Sequence, residues 1–309
     1  MKFILITGCA GNIGSSLTRK LINLKINVIG VDNLSTGSFH KLDKLDSNYF
    51  KFIKADVNDL SEIMQIFLKY DIEFVFHFAA VVGVQRTLLN PVNVLKDIDG
   101  LKNIFNLSKN TGVKRVFYSS SSEVYGEPVF IPQNEETTPL NSKLPYAIVK
   151  NIGEAFCKSY NKEYGLNYTI FRFFNTYGPN QSQDFVVPRF IKSAIMNEDL
   201  IIYGNGLQTR TFCYIDDNID TMYKIMVEDK YINDTVNIGS DHEITILDLA
   251  TQVINLLKSK SNIVHIDPLA EGDMTKRLPD ISKMRSILKR EFVSLNDGIT
   301  KVINSIKYE

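Results

Sequence analysis

A glycine-rich stretch near the start of the chain, Gly8–Gly14, restricts the fold more than any other feature. It follows the short apolar run Phe3–Ile6 and precedes a helical pattern that continues to about Leu24. A short continuous apolar run is typical of a buried parallel strand. Glycines at such a junction allow a tight turn, the close approach of a pyrophosphate and close packing of the helix, whose N-terminus favours the anion. The stretch therefore predicts a strand–loop–helix unit that binds a dinucleotide.

The next two predicted strands are followed by carboxylates. The second strand, Asn27–Val31, leads to Asp32, which can accept hydrogen bonds from the ribose hydroxyls of an adenosine. Because a carboxylate at this position repels a 2′-phosphate, Asp32 favours NAD over NADP. The third strand, Phe50–Ala55, precedes Asp56. Asp56 is placed either to receive the adenine amino group or to cap the helix that follows.

The fourth predicted strand, Phe74–Phe78, continues into Ala79 and Ala80, whose small side chains would let the backbone approach a cofactor. His77 lies on this apolar strand and is expected to be a packed core residue. Apolar runs alternate with helical patterns up to residue 174, with one long helix expected at Asn90–Asn110. This alternation predicts an α/β fold with a Rossmann-type, doubly wound parallel sheet.

The pattern changes after Pro179, where shorter strands and helices follow one another. Residues 1–178 are expected to form an NAD-binding domain, and residues 179–309 a smaller, mainly substrate-binding α+β domain with some elements returning to the first sheet. The second segment contains Arg189, Arg210 and Arg277. Each is a candidate for binding phosphate, because a guanidinium group can make bidentate contacts with it.

Tyr146 and Lys150 are four residues apart and are expected to lie on one face of a helix. An ammonium group beside a phenol favours the phenolate, since the opposite charges attract. With a hydroxyl such as that of Ser121 nearby, the tyrosine could accept a proton from an alcohol. Hydride transfer to a nicotinamide requires such a base.

The composition excludes several other classes. Lysine plus arginine equals aspartate plus glutamate at 35 each, which argues against a nucleic acid or an anionic membrane as the main partner. Three scattered cysteines predict reduced thiols in a cytoplasmic protein. The four histidines have no ligand spacing, so no metal site is expected. The first apolar run is too short for a signal peptide or a membrane span.

Six motifs in this order resemble the extended short-chain dehydrogenase/reductases, and more narrowly the NAD-dependent nucleotide-sugar epimerase/dehydratase family. The motifs are Gly8–Gly14, Asp32–Gly37, His77–Ala80, Ser119–Gly126, Tyr146–Lys150 and Arg172–Pro179. The segments Ile202–Arg210 and Arg277–Asp280 resemble the substrate domain of the same group, so that the likeness covers nearly the whole chain.

The resemblance implies roles for particular residues. Tyr146 would be the base, Lys150 would bind the nicotinamide ribose and tune the tyrosine, and Ser121 would orient the sugar. The candidates for binding NAD are Gly8, Gly11, Asn12, Ile13, Gly14, Asp32, Asn33, Ser35, Asp56, Val57, Ala79, Ala80, Tyr146 and Lys150. The candidates for binding the nucleotide sugar are Ser121, Asn175, Arg189, Tyr203, Arg210 and Arg277. Helices near residues 91–110 and 143–164 resemble those that form a four-helix homodimer interface in such enzymes.

The reaction implied begins with oxidation of a sugar hydroxyl, normally at C4, and epimerisation at C4 is the first expectation. The alternatives are a 4,6-dehydratase or a UDP-glucuronate decarboxylase with Glu123 as an additional acid/base, since those branches carry a carboxylate two positions after the Ser/Thr. Glu123 could equally be a structural residue in a turn. A different alternative is a catalytically silent protein that binds NAD, against which the intact Ser121, Tyr146 and Lys150 argue.

The chain departs from the family pattern at two places. Asp97-Ile98-Asp99-Gly100-Leu101 stands where the family usually has Asn-x-x-Gly-Thr, and Ala270-Glu271-Gly272-Asp273 stands where many epimerases have an arginine before Gly-Asp. Either change could accompany an unusual nucleotide or sugar.

Overall fold

The computed structural model of the protein describes residues 1–268 and 276–306. The departure at Ala270–Asp273 lies outside these residues. The strands and helices of the described chain are, in order, β1 (Lys2–Thr7), α1 (Asn12–Asn23), β2 (Val28–Asp32), β3 (Phe50–Lys54), α2 (Leu60–Lys69), β4 (Asp71–His77), α3 (Val84–Leu89), α4 (Pro91–Leu95), α5 (Asp97–Asn110), β5 (Arg115–Ser121), α6 (Pro145–Tyr164), β6 (Asn167–Phe173), β7 (Thr176–Tyr177), α7 (Val186–Met196), β8 (Leu200–Tyr203), β9 (Thr209–Thr211), β10 (Cys213–Tyr214), α8 (Ile215–Val227), β11 (Asp234–Ile238), β12 (Glu243–Thr245), α9 (Ile246–Leu257), β13 (Ile263–Ile266), α10 (Ser282–Leu288) and α11 (Leu295–Ile306).

Seven strands form one sheet in the order β11-β6-β5-β4-β1-β2-β3. The pairs β1–β2, β1–β4, β2–β3 and β4–β5 are parallel. This is the Rossmann-type doubly wound sheet that the alternation of strands and helices predicted. The strand order reverses at β1, which lies between β2 and β4, and ligands of such sheets bind outside the carboxyl ends of the strands at that point.

One face of the sheet is covered by α2, α5 and α6. Alternate residues of each strand point to this face, as the two-residue period of a strand requires, and Leu5, Val31, Val75 and Val116 belong to the same buried cluster. Helix residues such as Phe105 complete that cluster. This packing fixes the helices against the strands whose ends carry the predicted site.

The chain divides into two compact units, neither of which is continuous in sequence. The first unit consists of residues 1–124, 142–172 and 222–236, and the second of residues 125–141, 173–221 and 237–309. β11 joins the seven-stranded sheet although it lies late in the chain. The second unit contains the two-stranded sheets β10–β7, β12–β9 and β13–β8. The assignment of the two parts to cofactor and substrate stays a prediction.

The long helix expected at Asn90–Asn110 is divided by Lys96 into α4 and α5. The backbone N–H of Asp99 donates to the carbonyl of Lys96 at 3.1 Å, an i to i−3 bond that tightens the turn at this point. The short helices α3 and α10 and the two- or three-residue strands of the second unit were not predicted from the sequence. Elements this short have too few residues to show a period.

Candidate functional site

The glycine loop is shaped by close contacts at the carboxyl end of β1. Gly8 has φ +69°, a conformation that favours glycine, and a Cβ there would lie 2.7 Å from the backbone nitrogen of Ala79. A Cβ on Gly14 would overlap the carbonyl oxygen of Gly8. The N–H of Gly11 donates to the same carbonyl at 3.0 Å. Glycine is therefore required at positions 8 and 14 by the fold of the loop itself.

The N-terminus of α1 is left open to a ligand. Its N-cap residue, Gly11, has no side chain to bond the first N–H groups, and no acidic residue lies in the first turn, where Ile13 stands. These N–H groups and the helix dipole favour an anion. The side-chain oxygen of Asn12 is buried there without a hydrogen-bond partner among the described residues. A bound pyrophosphate group fits the backbone N–H donors, whereas the Asn12 oxygen is an acceptor and requires a donor.

Asp32 ends β2 beside the same loop. One carboxylate oxygen accepts the N–H of Ala10 at 2.9 Å, and the other accepts the N–H of Leu34 at 2.8 Å. The residue is 8% exposed. Two backbone donors hold the carboxylate at the edge of the sheet, where remaining lone pairs could accept hydrogen bonds from ribose hydroxyls.

Asn33, Ser35 and Asp56 form a hydrogen-bonded group just after the ends of β2 and β3. The side-chain nitrogen of Asn33 donates to Asp56 at 3.0 Å, and its side-chain oxygen accepts the N–H of Ser35 at 2.9 Å. The alternative role of Asp56 as a helix cap is wrong, because the cap of α2 is Asp59, which accepts the N–H groups of Ser61 and Glu62. Val57, the residue after Asp56, is buried.

Ala79 and Ala80 follow β4 at the same edge of the sheet. The N–H of Ala79 donates to the Thr7 hydroxyl at 3.3 Å, and the Thr7 hydroxyl is 2.8 Å from Nδ1 of His77. Burial, followed by the charge of Lys150, lowers the pKa of His77 to about 3. His77 is thus the packed core residue that its apolar strand predicted. The glycine loop, the carboxylates and these alanines form a cradle that fits NAD.

Lys150 is the most constrained polar residue of the predicted catalytic group. It is 4% exposed, its ammonium group donates to the carbonyl of Ser119 at 2.7 Å, and it lies 5.7 Å from the ring centre of Tyr146. Burial lowers the pKa of Lys150 to about 8, while the carboxylate of Asp97 raises it. Lys150 is therefore mostly protonated at neutral pH, and its positive charge lies beside the phenol of Tyr146.

Ser121 is the last residue of β5, and Glu123 follows in a single 3₁₀ turn. The hydroxyl of Ser121 accepts the N–H of Glu123 at 3.2 Å. Ser121 is 9% exposed. The backbone of Glu123 is therefore bonded to the hydroxyl that would orient a sugar. The four predicted catalytic residues all belong to the first unit.

The predicted substrate residues other than Ser121 lie in the second unit. The side chain of Asn175 donates to the carbonyl of Thr211 at 3.2 Å, next to Arg210 on β9. A bridge between Thr209 and Lys276 places the residues that follow them, Arg210 and Arg277, on adjacent segments. Both arginines are 7% exposed. Asn175, Arg210 and Arg277 therefore form one polar group around β9.

Arg189 and Tyr203 form a second pair in this unit. The guanidinium carbon of Arg189 lies 5.6 Å from the ring centre of Tyr203, within the range of a cation–π contact. The Nε of Arg189 is buried without a hydrogen-bond partner among residues 1–268 and 276–306. This donor remains available to an acceptor from a ligand.

Three residues that connect the catalytic elements were not among the candidates. They are Ser120, Glu154 and Arg172, which form a buried hydrogen-bonded group in the first unit. Two signals in the sequence could have identified it. Glu154 continues the four-residue spacing of Tyr146 and Lys150, and Arg172 interrupts an apolar strand, where a buried cation requires an acidic partner.

No helix within 1–268 and 276–306 is long and apolar enough to cross a membrane. The same part of the chain contains no group of three or more His, Cys, Asp or Glu side chains that could hold a metal ion.

Comparison with known proteins gives consistent matches over most of the chain. A family model described as the NAD dependent epimerase/dehydratase family matches residues 4–239. The chain is 33% identical to the UDP-N-acetyl-alpha-D-glucosaminuronate decarboxylase of Bacillus cytotoxicus, over 98% of this chain and 97% of that protein. It is 34% identical to UDP-glucuronic acid decarboxylase 1 of Danio rerio, over 100% of this chain and 73% of that protein.

A solved structure shows the same fold over almost its full length. The UDP-glucose 4-epimerase of Thermotoga maritima, determined with UDP-glucose, is 31% identical with a TM-score of 0.92, covering 99% of both chains. Epimerases and decarboxylases are thus both among the proteins that this chain resembles.

Proposed function

This chain belongs to the NAD-dependent epimerase/dehydratase family, and on that premise we propose that it is an NDP-hexose 4-epimerase acting through a transient 4-keto sugar. NAD is the cofactor of this family. When bound, NAD supplies a hydride acceptor that is restored within each cycle. The remaining chemistry is the movement of one proton and the orientation of the sugar.

Tyr146 is proposed to take the proton of the sugar C4 hydroxyl. An unperturbed tyrosine has a pKa of about 10, too high for a base at neutral pH. The Lys150 ammonium, 5.7 Å from the Tyr146 ring centre, favours the phenolate by its charge. Ser121 is proposed to hydrogen-bond the reacting oxygen. After the keto sugar has rotated to present its opposite face, Tyr146 returns the proton to the oxygen at C4.

The observation that carries this proposal is the placement of Lys150 against β5. Its bond to the Ser119 carbonyl fixes the ammonium group two residues before Ser121, while the same side chain lies over the ring of Tyr146. One buried cation therefore contacts both elements that carry the predicted reacting groups.

Glu123 supports a second candidate, a UDP-glucuronate decarboxylase or a 4,6-dehydratase. Its N–H donates to the Ser121 hydroxyl at 3.2 Å, which supports a role for this acidic residue near the hydroxyl proposed to orient the sugar. A dehydratase needs an additional acid/base to remove a proton at C5 and protonate the leaving hydroxyl. Two relatives at 33% and 34% identity are named as decarboxylases.

The nucleotide diphosphate is proposed to bind the polar residues of the second unit. Arg210 and Arg277 are buried guanidinium groups on adjacent segments, and an anion would offset the cost of keeping two like charges there. Asn175, Arg189 and Tyr203 are proposed to complete the contacts. The relative determined with UDP-glucose supports a nucleotide sugar as the ligand.

We further propose a homodimer in the cytoplasm. Val92 and Leu95 on α4 and Ile148 on α6 are apolar and 69%, 46% and 44% exposed, which fits an interface made by these helices. Light scattering of the purified protein measures the subunit number. The three cysteines are buried free thiols, as suits a reducing compartment.

The experiment that tests the function uses UDP-, GDP- and dTDP-hexoses and UDP-glucuronate, with products examined by mass spectrometry and proton NMR. An unchanged mass with inverted configuration at C4 supports the epimerase and leaves Glu123 with a structural role. Loss of water identifies a dehydratase, and loss of carbon dioxide identifies a decarboxylase, with Glu123 as additional acid/base.

A matched pair of variants tests the catalytic assignment in the same assay. Tyr146→Phe should lower kcat by roughly 100- to 10,000-fold while NAD stays bound. Tyr164→Phe, on the exposed end of the same helix, should behave as the parent protein. Full turnover by Tyr146→Phe would disprove the mechanism.

A further inference from the structure

A fully buried ion pair joins α6 to β6, one helical turn after Lys150. Nε of Arg172 donates to Oε1 of Glu154 at 2.9 Å, and its Nη2 donates to Oε2 at 2.7 Å. The hydroxyl of Ser120 donates to the same Oε1 at 2.6 Å. All three residues are at most 2% exposed. The Glu154 carboxylate thus accepts three hydrogen bonds in a geometry that the planar guanidinium group restricts.

The three residues come from three elements of the first unit. Glu154 lies on α6 one turn after Lys150, Ser120 precedes Ser121 on β5, and Arg172 lies near the end of β6. The carboxylate therefore connects the helix that carries the proposed base to the strand that carries the proposed sugar-orienting hydroxyl.

Two neighbouring contacts hold the same surfaces together. The hydroxyl of Tyr118 donates to the carbonyl of Lys150 at 3.3 Å, and the Lys150 ammonium donates to the carbonyl of Ser119 at 2.7 Å. With the Ser120 bond, three consecutive residues of β5 are joined to α6, and Ser121 is the next residue. A shift of α6 along β5 would break all three contacts.

Stability alone does not explain why the pair is charged. Apolar residues of similar volume in place of a buried ion pair often leave stability unchanged or increase it, because the two charges no longer have to be desolvated. Apolar contacts, however, are non-directional and tolerate small displacements. A forked hydrogen-bonded pair has one geometry, which is what fixing the register of a helix requires.

We propose that Glu154, held by Arg172 and Ser120, is a positioning residue that sets the register of α6 on β5 and so places Tyr146 and Lys150 relative to Ser121. This inference rests on the proposed function, because it concerns the groups assigned there. Glu154 itself does not contact the substrate.

The test separates positioning from stability with a double variant, Glu154→Leu/Arg172→Met. It keeps approximately the buried volume and leaves no unpaired charge, although the Ser120 hydroxyl loses its acceptor, so the variant should fold, keep NAD and melt near the temperature of the parent protein. If the charged pair positions the helix, kcat should fall roughly 10- to 100-fold, since small misplacements of reacting groups have effects of this size. KM should change by no more than about twofold.

The control is a second buried arginine, Arg115, at the start of β5. Arg115 is 2% exposed and pairs with Asp229, far along β5 from Ser121. Arg115→Met can change stability but should leave kcat within about twofold of the parent value. A double variant that folds, keeps NAD and retains the parent kcat would overturn the inference.

If the double variant does not fold, a milder variant tests whether Glu154 positions α6. Ser120→Ala removes one of the three hydrogen bonds and leaves the ion pair in place. A severalfold lower kcat with unchanged KM and bound NAD supports positioning, and an unchanged kcat overturns it. Failure of the proposed function is distinguishable, because then the parent protein converts no nucleotide sugar, or Tyr146→Phe retains full turnover.

Discussion

The two units of this protein present polar groups in different ways. In the first unit, the proposed cofactor residues and Ser121 lie at or just after the carboxyl ends of strands of one sheet, and Tyr146 and Lys150 lie on the long helix α6 packed against it. In the second unit, Arg189 lies on α7, while the other proposed substrate residues lie on strands of three or four residues or on segments outside the strands and helices. Sites built on long strands and helices are held more precisely than sites on loops, and reacting atoms require this precision most.

This difference suggests a division of labour that can be measured. Changes in the first unit should act on the chemical step, and changes in the second unit on binding. The predictions below test that comparison from the largest expected effect to the smallest.

Lys150→Met should lower kcat by roughly 100- to 10,000-fold, because the phenol of Tyr146 loses the charge that favours its ionised form. Steady-state kinetics measure the effect, with the nucleotide sugar that the product assay identifies as the substrate. Lys158→Met, on the exposed side of the same helix, is the matched control and should keep the parent kcat. If Lys150→Met changed only KM, and only slightly, the proposal that the first unit acts on the chemical step would be wrong.

Arg210→Met and Arg277→Met should each raise KM by roughly 10- to 100-fold, the equivalent of one hydrogen bond to a charged group, with kcat little changed. The measurement is the separation of kcat from KM. Arg285→Met, which removes an arginine about half exposed and paired with Asp241, should leave both constants unchanged. If kcat falls while KM is unchanged, the proposed division between the units is wrong.

A glycine-to-alanine change can be compared between the two units, because each unit contains a helical glycine packed against a tyrosine. A Cβ on Gly153 of α6 would overlap the Tyr118 ring, and a Cβ on Gly298 of α11 would overlap the Tyr177 hydroxyl. Each change to alanine should cost about 1–3 kcal/mol of unfolding free energy, measured by urea denaturation. We expect Gly153→Ala also to lower kcat, since it moves α6, and Gly298→Ala to leave kcat unchanged.

The companion change Tyr177→Phe tests the cause of the Gly298→Ala effect. It removes the hydroxyl that the new Cβ would meet, so the double variant should recover part of the lost stability. No recovery would show that overlap with Tyr177 is not the reason for the loss.

Asp97→Asn should move the alkaline limb of the pH–kcat profile to lower pH. Burial lowers the pKa of Lys150 to about 8 from 10.5, and the Asp97 charge acts against that lowering. Without the charge the ammonium group loses its proton at lower pH, while asparagine can still accept the bond that the Val81 N–H donates to Asp97 at 2.8 Å. Asp99→Asn, exposed in the same helical turn, is the control.

The same pKa gives a stability prediction with a definite sign. The pKa of Lys150 is lower in the folded chain, so the unfolded chain binds more protons between about pH 8 and 10.5. The contribution of Lys150 to stability therefore rises with pH across this window. Lys150→Met should remove that rise from the urea-measured free energy, and a rise that persists in the variant would contradict the assignment.

Much of the first unit could be predicted because its signals are local. Glycines that allow a turn at positions 8 and 14, the carboxylate at Asp32, and the four-residue spacing of Tyr146 and Lys150 are all visible within short windows of sequence. The apolar strands β1 and β4 were expected within a few residues of their observed bounds. The role of Asp56 could not be predicted from the sequence, because its two possible roles are distinguished only by the structure, in which Asp59 caps α2.

By itself, the sequence determined the Rossmann-type sheet, the cofactor loop and the candidate reacting groups, because strand and helix periods and glycine conformations are properties of neighbouring residues. Only the tertiary structure decided that residues 222–236 pack with the first unit and that Glu154 accepts bonds from Ser120 and Arg172. It also placed Asp97 within electrostatic reach of Lys150. These pairings join residues distant in the chain, and their burial and charge depend on how the elements pack.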